Sequence, residues 1–343
     1  MKKNVQAIVL CSGGLDSLLA CAILIRQGVA VTALHFDMGL GAAVLARRFG
    51  IDVSPHPVGA RVALLGAVFR PVPLAPDYLP VLLHPPHGYG SAMNPCIDCH
   101  AYMFRTAKHI MDSEGFDFVA TGEVIGQRPM SQMRDKLDIV ARDSLLGDKL
   151  LRPLSAKLLQ PTAPERDGII DRNALYDIEG RARDRQMALA EEFGLTDYPT
   201  PAGGCLLTDE PFARRLKEYI AHTPEEAISL DDVSLLSFGR HFRIGKAKLV
   251  IGRNALENSV LEHFAKGRVL LTPEYRRGPS GVLCGEGMAE GSTIRDALSV
   301  IAFYSKEERT ELPITVRVGD TMTSMSLSQE DSERGRSFAN ING

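Results

Sequence analysis

Three sets of residues have types and spacings suited to chemistry. The first is Ser12-Gly13-Gly14-Leu15-Asp16-Ser17, which follows the apolar run Val5 to Cys11 and opens a helical pattern from Asp16 to Gln27. Small residues at such a turn let several backbone N–H groups face an anion, so a phosphate would sit on the helix N-terminus. Ser17 is placed to donate to a phosphate oxygen, and Asp16 to cap the helix or help hold Mg2+. A pair of glycines taken alone equally describes a tight turn with an ordinary cap. The spelling has neither the G-x-G-x-x-G of dinucleotide folds nor a Gly-Lys-Ser/Thr, so it offers no lysine to the terminal phosphates.

The second set is thiols. Cys96 and Cys99 are spaced C-x-x-C in Asn94-Pro95-Cys96-Ile97-Asp98-Cys99-His100, at a helix start whose dipole favours a thiolate. A zinc site would need two further ligands, and there is no second C-x-x-C. His100 is close by, but Cys205, reached through Pro201-Ala202-Gly203-Gly204, is the better third candidate. Three thiolates on a 4Fe-4S cluster would leave one iron open to an external ligand. A dithiol without metal is the alternative. Asp98, between the two cysteines, is either a proton acceptor or relay or simply a helix N-terminal carboxylate. Cys11, Cys21 and Cys284 lie in apolar patterns and are expected as small core residues.

The third set is cationic. From Arg240 to Arg277 nine Lys or Arg, among them Arg240, Arg243, Lys246 and Arg253, face only Glu257, Glu262 and Glu274, in a chain whose formal net charge is −3. That concentration suits a phosphate backbone, and Phe242 and Tyr275 could offer stacking faces. A solvated basic surface is the plainer reading.

These residues need elements to hold them. The 343 residues, 45% hydrophobic and 24% charged, suffice for about two to three domains and exclude a disordered polymer. No apolar run reaches the roughly 18 to 20 residues that cross a bilayer, so a soluble, cytoplasmic protein without a membrane partner is expected. The opening reads strand, glycine turn, helix, strand (29–36), a βαβ unit. Prolines from Pro55 to Pro86 break regular structure, a helix over 99–114 and a strand over 116–121 resume the alternation, and 174–193 reads as helical. From about Ser234 short β-like runs predict a second, β-containing domain. The stretch from Ser324 has little to bury and is expected to fray.

Ser12 to Ser17 resembles the SGGxDS loop of the PP-loop ATPases, which cleave ATP between the α and β phosphates to adenylate a substrate. The block Cys96 to Gln132, with C-I-D-C-H, then T-G-E-V-I-G-Q, then S-Q, is similar to that of the PP-loop tRNA thiouridine synthetases, and Cys205 follows in the expected order. The resemblance implies an α/β fold with a parallel, Rossmann-like sheet. It also implies an enzyme that adenylates a tRNA uridine and replaces the carbonyl oxygen by sulfur, with 4-thiouridine favoured over 2-thiouridine by the T-G-E-x-x-G-Q block. On that reading Ser12, Gly13, Gly14, Asp16 and Ser17 hold pyrophosphate and Mg2+, while Asp37, Gly122 and Glu123 border the ATP pocket. Cys96, Cys99 and Cys205 deliver sulfur, through a 4Fe-4S cluster or a persulfide, from sulfide or a cysteine desulfurase. The N-terminal RNA-binding region usual in the 4-thiouridine branch is not seen ahead of the loop, nor is a C-terminal rhodanese-type carrier. Gly239-Arg240-His241-Phe242-Arg243, Val250-Ile251-Gly252-Arg253-Asn254 and Glu257-Asn258 are instead similar to an NFACT-R type RNA-binding domain. The implied organisation is an adenylation domain over 1–175, a helical connector with the Cys205 loop over 176–233, a basic RNA-binding domain over 234–323 and a tail over 324–343, with a homodimer possible. A PP-loop small-molecule ligase or amidotransferase shares the loop, and a non-catalytic RNA-binding protein is the third reading.

Overall fold

The computed structural model describes residues 5–74, 76–199, 205–274, 278–305, 312–338 and 340–341. They form two compact units, one of residues 1–38 and 55–203, the other of residues 39–54 and 204–343.

The first unit is the expected α/β layer. Its strands β1 (Gln6–Leu10), β2 (Ala30–Asp37), β3 (Val68–Pro73), β4 (Phe118–Thr121) and β5 (Leu150–Leu151) form a parallel sheet in the order β3-β2-β1-β4-β5. Alternate residues of β1 go to opposite faces: Ala7 and Val9 join one core, Ile8 and Leu10 the other. Burial on both faces is why β1 reads as a continuous apolar run rather than an alternating one. The helices are α1 (Leu15–Arg26), then, after α2 (Ala42–Arg48) of the other unit, α3 (Pro57–Leu64), α4 (Leu79–Leu83), α5 (Cys96–Glu114), α6 (Arg134–Asp143), α7 (Ala163–Arg166) and α8 (Asp184–Glu192). Helices α1, α3 and α8 cover the Val9 face, and α5 and α6 the Ile8 face. Prolines 71 and 73 fall in β3, an edge strand where a missing N–H is tolerated. Residues 175–183 are not helical as their composition suggests. Glu179 bridges Ile125 and Gly180 takes φ +84°, a conformation a helix cannot contain.

The second unit is built on an antiparallel sheet of β6 (Arg240–Ile244), β7 (Ala247–Ile251), β8 (Val269–Pro273), β9 (Gly281–Cys284), β10 (Leu312–Val318) and β11 (Thr321–Leu327), in the order β11-β10-β8-β9-β7-β6. Its helices are α2, α9 (Glu210–His222), α10 (Leu230–Leu235), α11 (Ala255–Glu262), α12 (Gly291–Tyr304) and α13 (Gln329–Gly335). On one face Phe242, Leu249, Ile251 and Leu283 pack against Ile294, Ala297, Leu298 and Ile301 of α12. The expected tail at 324–343 instead holds half of β11, paired along its length with β10, and α13, whose Ser328–Asp331 capping box fixes its start. Short polar residues there make a cap and an edge strand, so low hydrophobicity misleads.

On the other face of β6 and β7, Lys248 is fully buried and pairs with Glu218 of α9, which also accepts from Arg243 Nε at 2.7 Å. Burial pushes the Lys248 ammonium down to about 8 against the pull of Glu218. Removing one partner of a buried pair strands the other charge. Glu218→Ala is therefore expected to cost about 3–5 kcal/mol in denaturant unfolding, with Lys248→Met in the same chain recovering most of it.

Candidate active site

The chain leaves β1 toward β2 on one side, while β4 lies on the other, so the carboxyl ends of β1 and β4 flank the switch point where open α/β sheets bind ligands. Both motif loops are there. After Cys11, Gly13 takes φ +79°, and a Cβ on it would stand 2.5 Å from Val58 Cγ2 of α3. Gly14 is the N-cap of α1, extended at φ −79° and ψ 163°, and no side chain caps the first turn. Its N–H groups therefore keep their capacity for an anion. Ser17 Oγ donates to Gly14 O at 2.8 Å and lies 3.4 Å from Ser12 Oγ. From the β4 side, a Cβ on Gly122 would fall 2.5 Å from the Asp16 carbonyl and Ser17 nitrogen, so the two loops meet backbone to backbone.

Asp16 stands at that junction. Its Oδ2 accepts from Gln127 Nε2 at 3.0 Å and lies 3.7 Å from an Arg183 guanidinium nitrogen, while Oδ1 is buried without a partner among the described residues. Burial pushes its carboxyl above the usual aspartate value, against the opposing pull of Gln127, Arg183 and Arg128. Glycine loop, uncapped helix start and a carboxylate oxygen awaiting a partner together fit a phosphate chain with Mg2+. Asp37 ends β2, and its carbonyl accepts from Leu74 N at 3.1 Å; nearby His35 Nδ1 donates to Cys11 O at 2.9 Å.

Glu123 has a different setting from its neighbour Gly122. It is fully buried, with Arg152 Nε donating to one oxygen and His100 Nδ1 to the other, each at 2.9 Å. Burial alone would push its carboxyl up, but Arg152 and His100 hold it below the usual glutamate value. Both oxygens are thus committed to tying β4 to α5 and β5. Asp98 is likewise engaged: it accepts from the His87 amide at 3.1 Å and from His87 Nδ1 at 2.8 Å.

The α5 start separates the two thiols. Cys96 is half-buried and accepts from Asn94 Nδ2 at 3.1 Å, whereas Cys99 is buried and accepts from Tyr78 OH at 3.3 Å. Cys205 belongs to the second unit and follows residues 200–204, which lie outside the described residues. No group of three or more His, Cys, Asp or Glu side chains is assembled for a metal among the described residues. Tyr78 thus covers the Cys99 thiol, while Cys96 keeps part of its surface. Cys11, Cys21 and Cys284 are buried, as their apolar surroundings predict.

The basic segment is more neutralised than its spelling suggests. Arg243 and Lys248 share Glu218, Arg268 pairs with Asp232 at 2.7 Å, exposed Lys246 with Glu286 at 2.6 Å, and Arg253 with Glu257 at 2.6 Å. Arg240 lies 4.8 Å over the Tyr304 ring. Phe242, expected as a stacking face, is fully buried in the core under α12, and Tyr275, Arg276 and Arg277 lie outside the described residues. Gln127 closes the quoted T-G-E-V-I-G-Q block, so position could have singled it out. Arg183 and Gln186 sit in an ordinary helical pattern, and no sequence signal marks them.

Residues 239–334 match the family model of the NFACT protein RNA binding domain. No curated protein matches the sequence. Among solved structures, the chain is similar to a 4-thiouridine synthetase in complex with RNA and bound ATP (18% identity, TM-score 0.37, covering 69% of this chain and 53% of that one). It therefore spans about half of that chain's length. It is also similar to an NMN synthetase from Francisella tularensis (11%, 0.26, 58% and 90%) and to the C-terminal part of a fibronectin/fibrinogen-binding protein from Streptococcus suis (13%, 0.23, 43% and 71%). Likenesses this distant assign neither activity nor ligand to the chain. Among the described residues no helix is long and apolar enough to cross a membrane.

Glu123→Gln tests the buried triad. A carboxyl held below its unfolded value contributes stability that is present above that value and lost as pH falls through the folded one. The variant is expected to lose about 3–5 kcal/mol at neutral pH, and the gap from the parent protein to close as urea unfolding is followed below pH 4.5, the ordinary glutamate value.

Proposed function

We propose that this chain is an ATP-using PP-loop enzyme that adenylates an RNA substrate, and more specifically a tRNA uridine thiolase. The observation that carries the reading is Asp16: a partly buried carboxylate with one buried oxygen unpartnered among the described residues, beside the uncapped N-terminus of α1 at the switch point of a parallel sheet. Backbone N–H groups of residues 13–17 hold the phosphates. Asp16 would hold Mg2+, which would supply positive charge to the pyrophosphate that leaves when the uridine oxygen attacks the α-phosphate. The lack of a Gly-Lys-Ser/Thr fits cleavage between α and β better than transfer of the terminal phosphate.

For sulfur, the half-buried Cys96 is the carrier. The Asn94 amide donates to its sulfur at 3.1 Å and holds it at the start of α5. The outer sulfur of a cysteine desulfurase persulfide passes to the Cys96 thiol as the desulfurase thiol is released; the Cys96 persulfide then attacks the adenylated carbon as AMP leaves, and an external thiol takes Cys96 into a disulfide as the thiouridine departs.

The second unit holds the tRNA. The match of residues 239–334 to an RNA-binding domain favours an RNA substrate over a small-molecule acceptor. Arg240, Lys246 and Arg253 can exchange their ring or carboxylate partners for phosphates, whereas Arg243 is reserved for Glu218.

Two outcomes test this. Asp16→Ala is expected to lower tRNA-dependent formation of AMP from ATP by about 10²–10³, with tRNA affinity unchanged in a filter-binding assay. Undiminished AMP formation would contradict the assignment. Arg240→Gln is expected to reduce the salt slope of tRNA binding by about 1, with the fold intact; an unchanged slope would remove Arg240 from the interface.

A further inference from the structure

Helix α8 brings to Asp16 polar groups that the fold does not satisfy. Gln186, on its first turn, is fully buried, and neither Nε2 nor Oε1 has a partner among the described residues. Arg183, the N-cap of α8, likewise has a partnerless buried Nε, and Gln127 a partnerless buried Oε1. Gln127 Nε2 donates to Asp16 Oδ2 at 3.0 Å and an Arg183 guanidinium nitrogen stands 3.7 Å from the same oxygen, while Gln186 also acts on that carboxyl against the effect of burial. Buried polar groups are almost always paired, and several unpaired ones gathered at one carboxylate mark a place where something else completes them.

The mixture of groups defines the ligand. Asp16 Oδ1, Gln127 Oε1 and Gln186 Oε1 accept and call for a cation or its bound waters; Arg183 Nε and Gln186 Nε2 donate and call for anionic oxygens. A bare divalent cation would be repelled by Arg183, and a bare anion by Asp16. A phosphate chain carrying a divalent cation satisfies both. The Arg183 guanidinium stands 3.7 Å from Asp16, beyond the usual length of a charge-assisted hydrogen bond, so little binds it there.

We propose that Arg183 supplies the positive charge to the departing pyrophosphate that the loop lacks a lysine to supply, with Gln186 and Gln127 fixing the pyrophosphate and its Mg2+ against Asp16. This rests on the ATP reading above and adds α8 to its site. An arginine reaching the phosphates from outside the glycine loop can be disengaged without disturbing the loop's backbone.

The test is calorimetric titration of the full chain with inorganic pyrophosphate and Mg2+, and separately with AMP. Arg183→Gln is expected to weaken pyrophosphate roughly ten- to a hundredfold and leave AMP affinity unchanged, and Arg183→Lys to restore most of it. Gln186→Leu is expected to weaken pyrophosphate while raising the thermal midpoint, since it deletes two buried polar atoms that lack partners; a residue with a merely structural role would lower the midpoint. Pyrophosphate bound equally by the parent chain, Arg183→Gln and Gln186→Leu would overturn the proposal and leave the ATP reading standing. A parent chain that binds neither pyrophosphate nor AMP would overturn both.

Discussion

The close approach of Gly122 to the first turn of α1 is the constraint on which the site depends. It lets the end of β4 touch the backbone of Asp16 and Ser17, so residues more than 100 positions apart share one cradle. Any Cβ at 122 would push the helix start away from the sheet. The same contact fixes where the Asp16 carboxylate enters the protein, half desolvated and short of partners. The rest of the first unit can be understood as support for that junction: β1 buried on both faces, Val58 closing over Gly13, and α8 against α1.

Elsewhere the chain handles buried charge differently. Glu123 is matched by Arg152 and His100, Glu218 by Lys248 and Arg243, Glu257 by Arg253, and Asp232 by Arg268. In each case geometry is short and the carboxylate oxygens are used. Asp16 has only an amide and a distant guanidinium, and carries an unused oxygen. Those four carboxylates are closed by short ion pairs, whereas Asp16 stays open at the mouth of the sheet, the physical difference expected between a scaffold group and a binding group.

Much of this was legible in the sequence. A buried strand, a glycine turn and a helix in direct succession located the β1–α1 turn, and the short β-like runs after Ser234 located the second sheet. Failures came where the deciding partner is remote. The basic run from Arg240 to Arg277 looked unneutralised because Glu218, Asp232 and Glu286 lie outside it in sequence. Phe242 looked available for stacking, yet strand alternation sends Phe242 and Leu249 to the same face as α12. Nothing local to Glu123 reveals its partner Arg152. Cys99 differs from Cys96 only through Tyr78, which arrives from the proline-rich segment that gave no periodic signal. Arg183 and Gln186 fall in a stretch that reads only as helical, and nothing local tells which of its side chains is buried.

Which bond of ATP is broken bears most directly on the account. Phosphorus NMR of ATP consumed by the full chain with Mg2+ and bulk tRNA is expected to show AMP and pyrophosphate in equal amounts, with no ADP. Accumulation of ADP and orthophosphate instead, or no tRNA-dependent consumption at all, would contradict an adenylating site at Asp16.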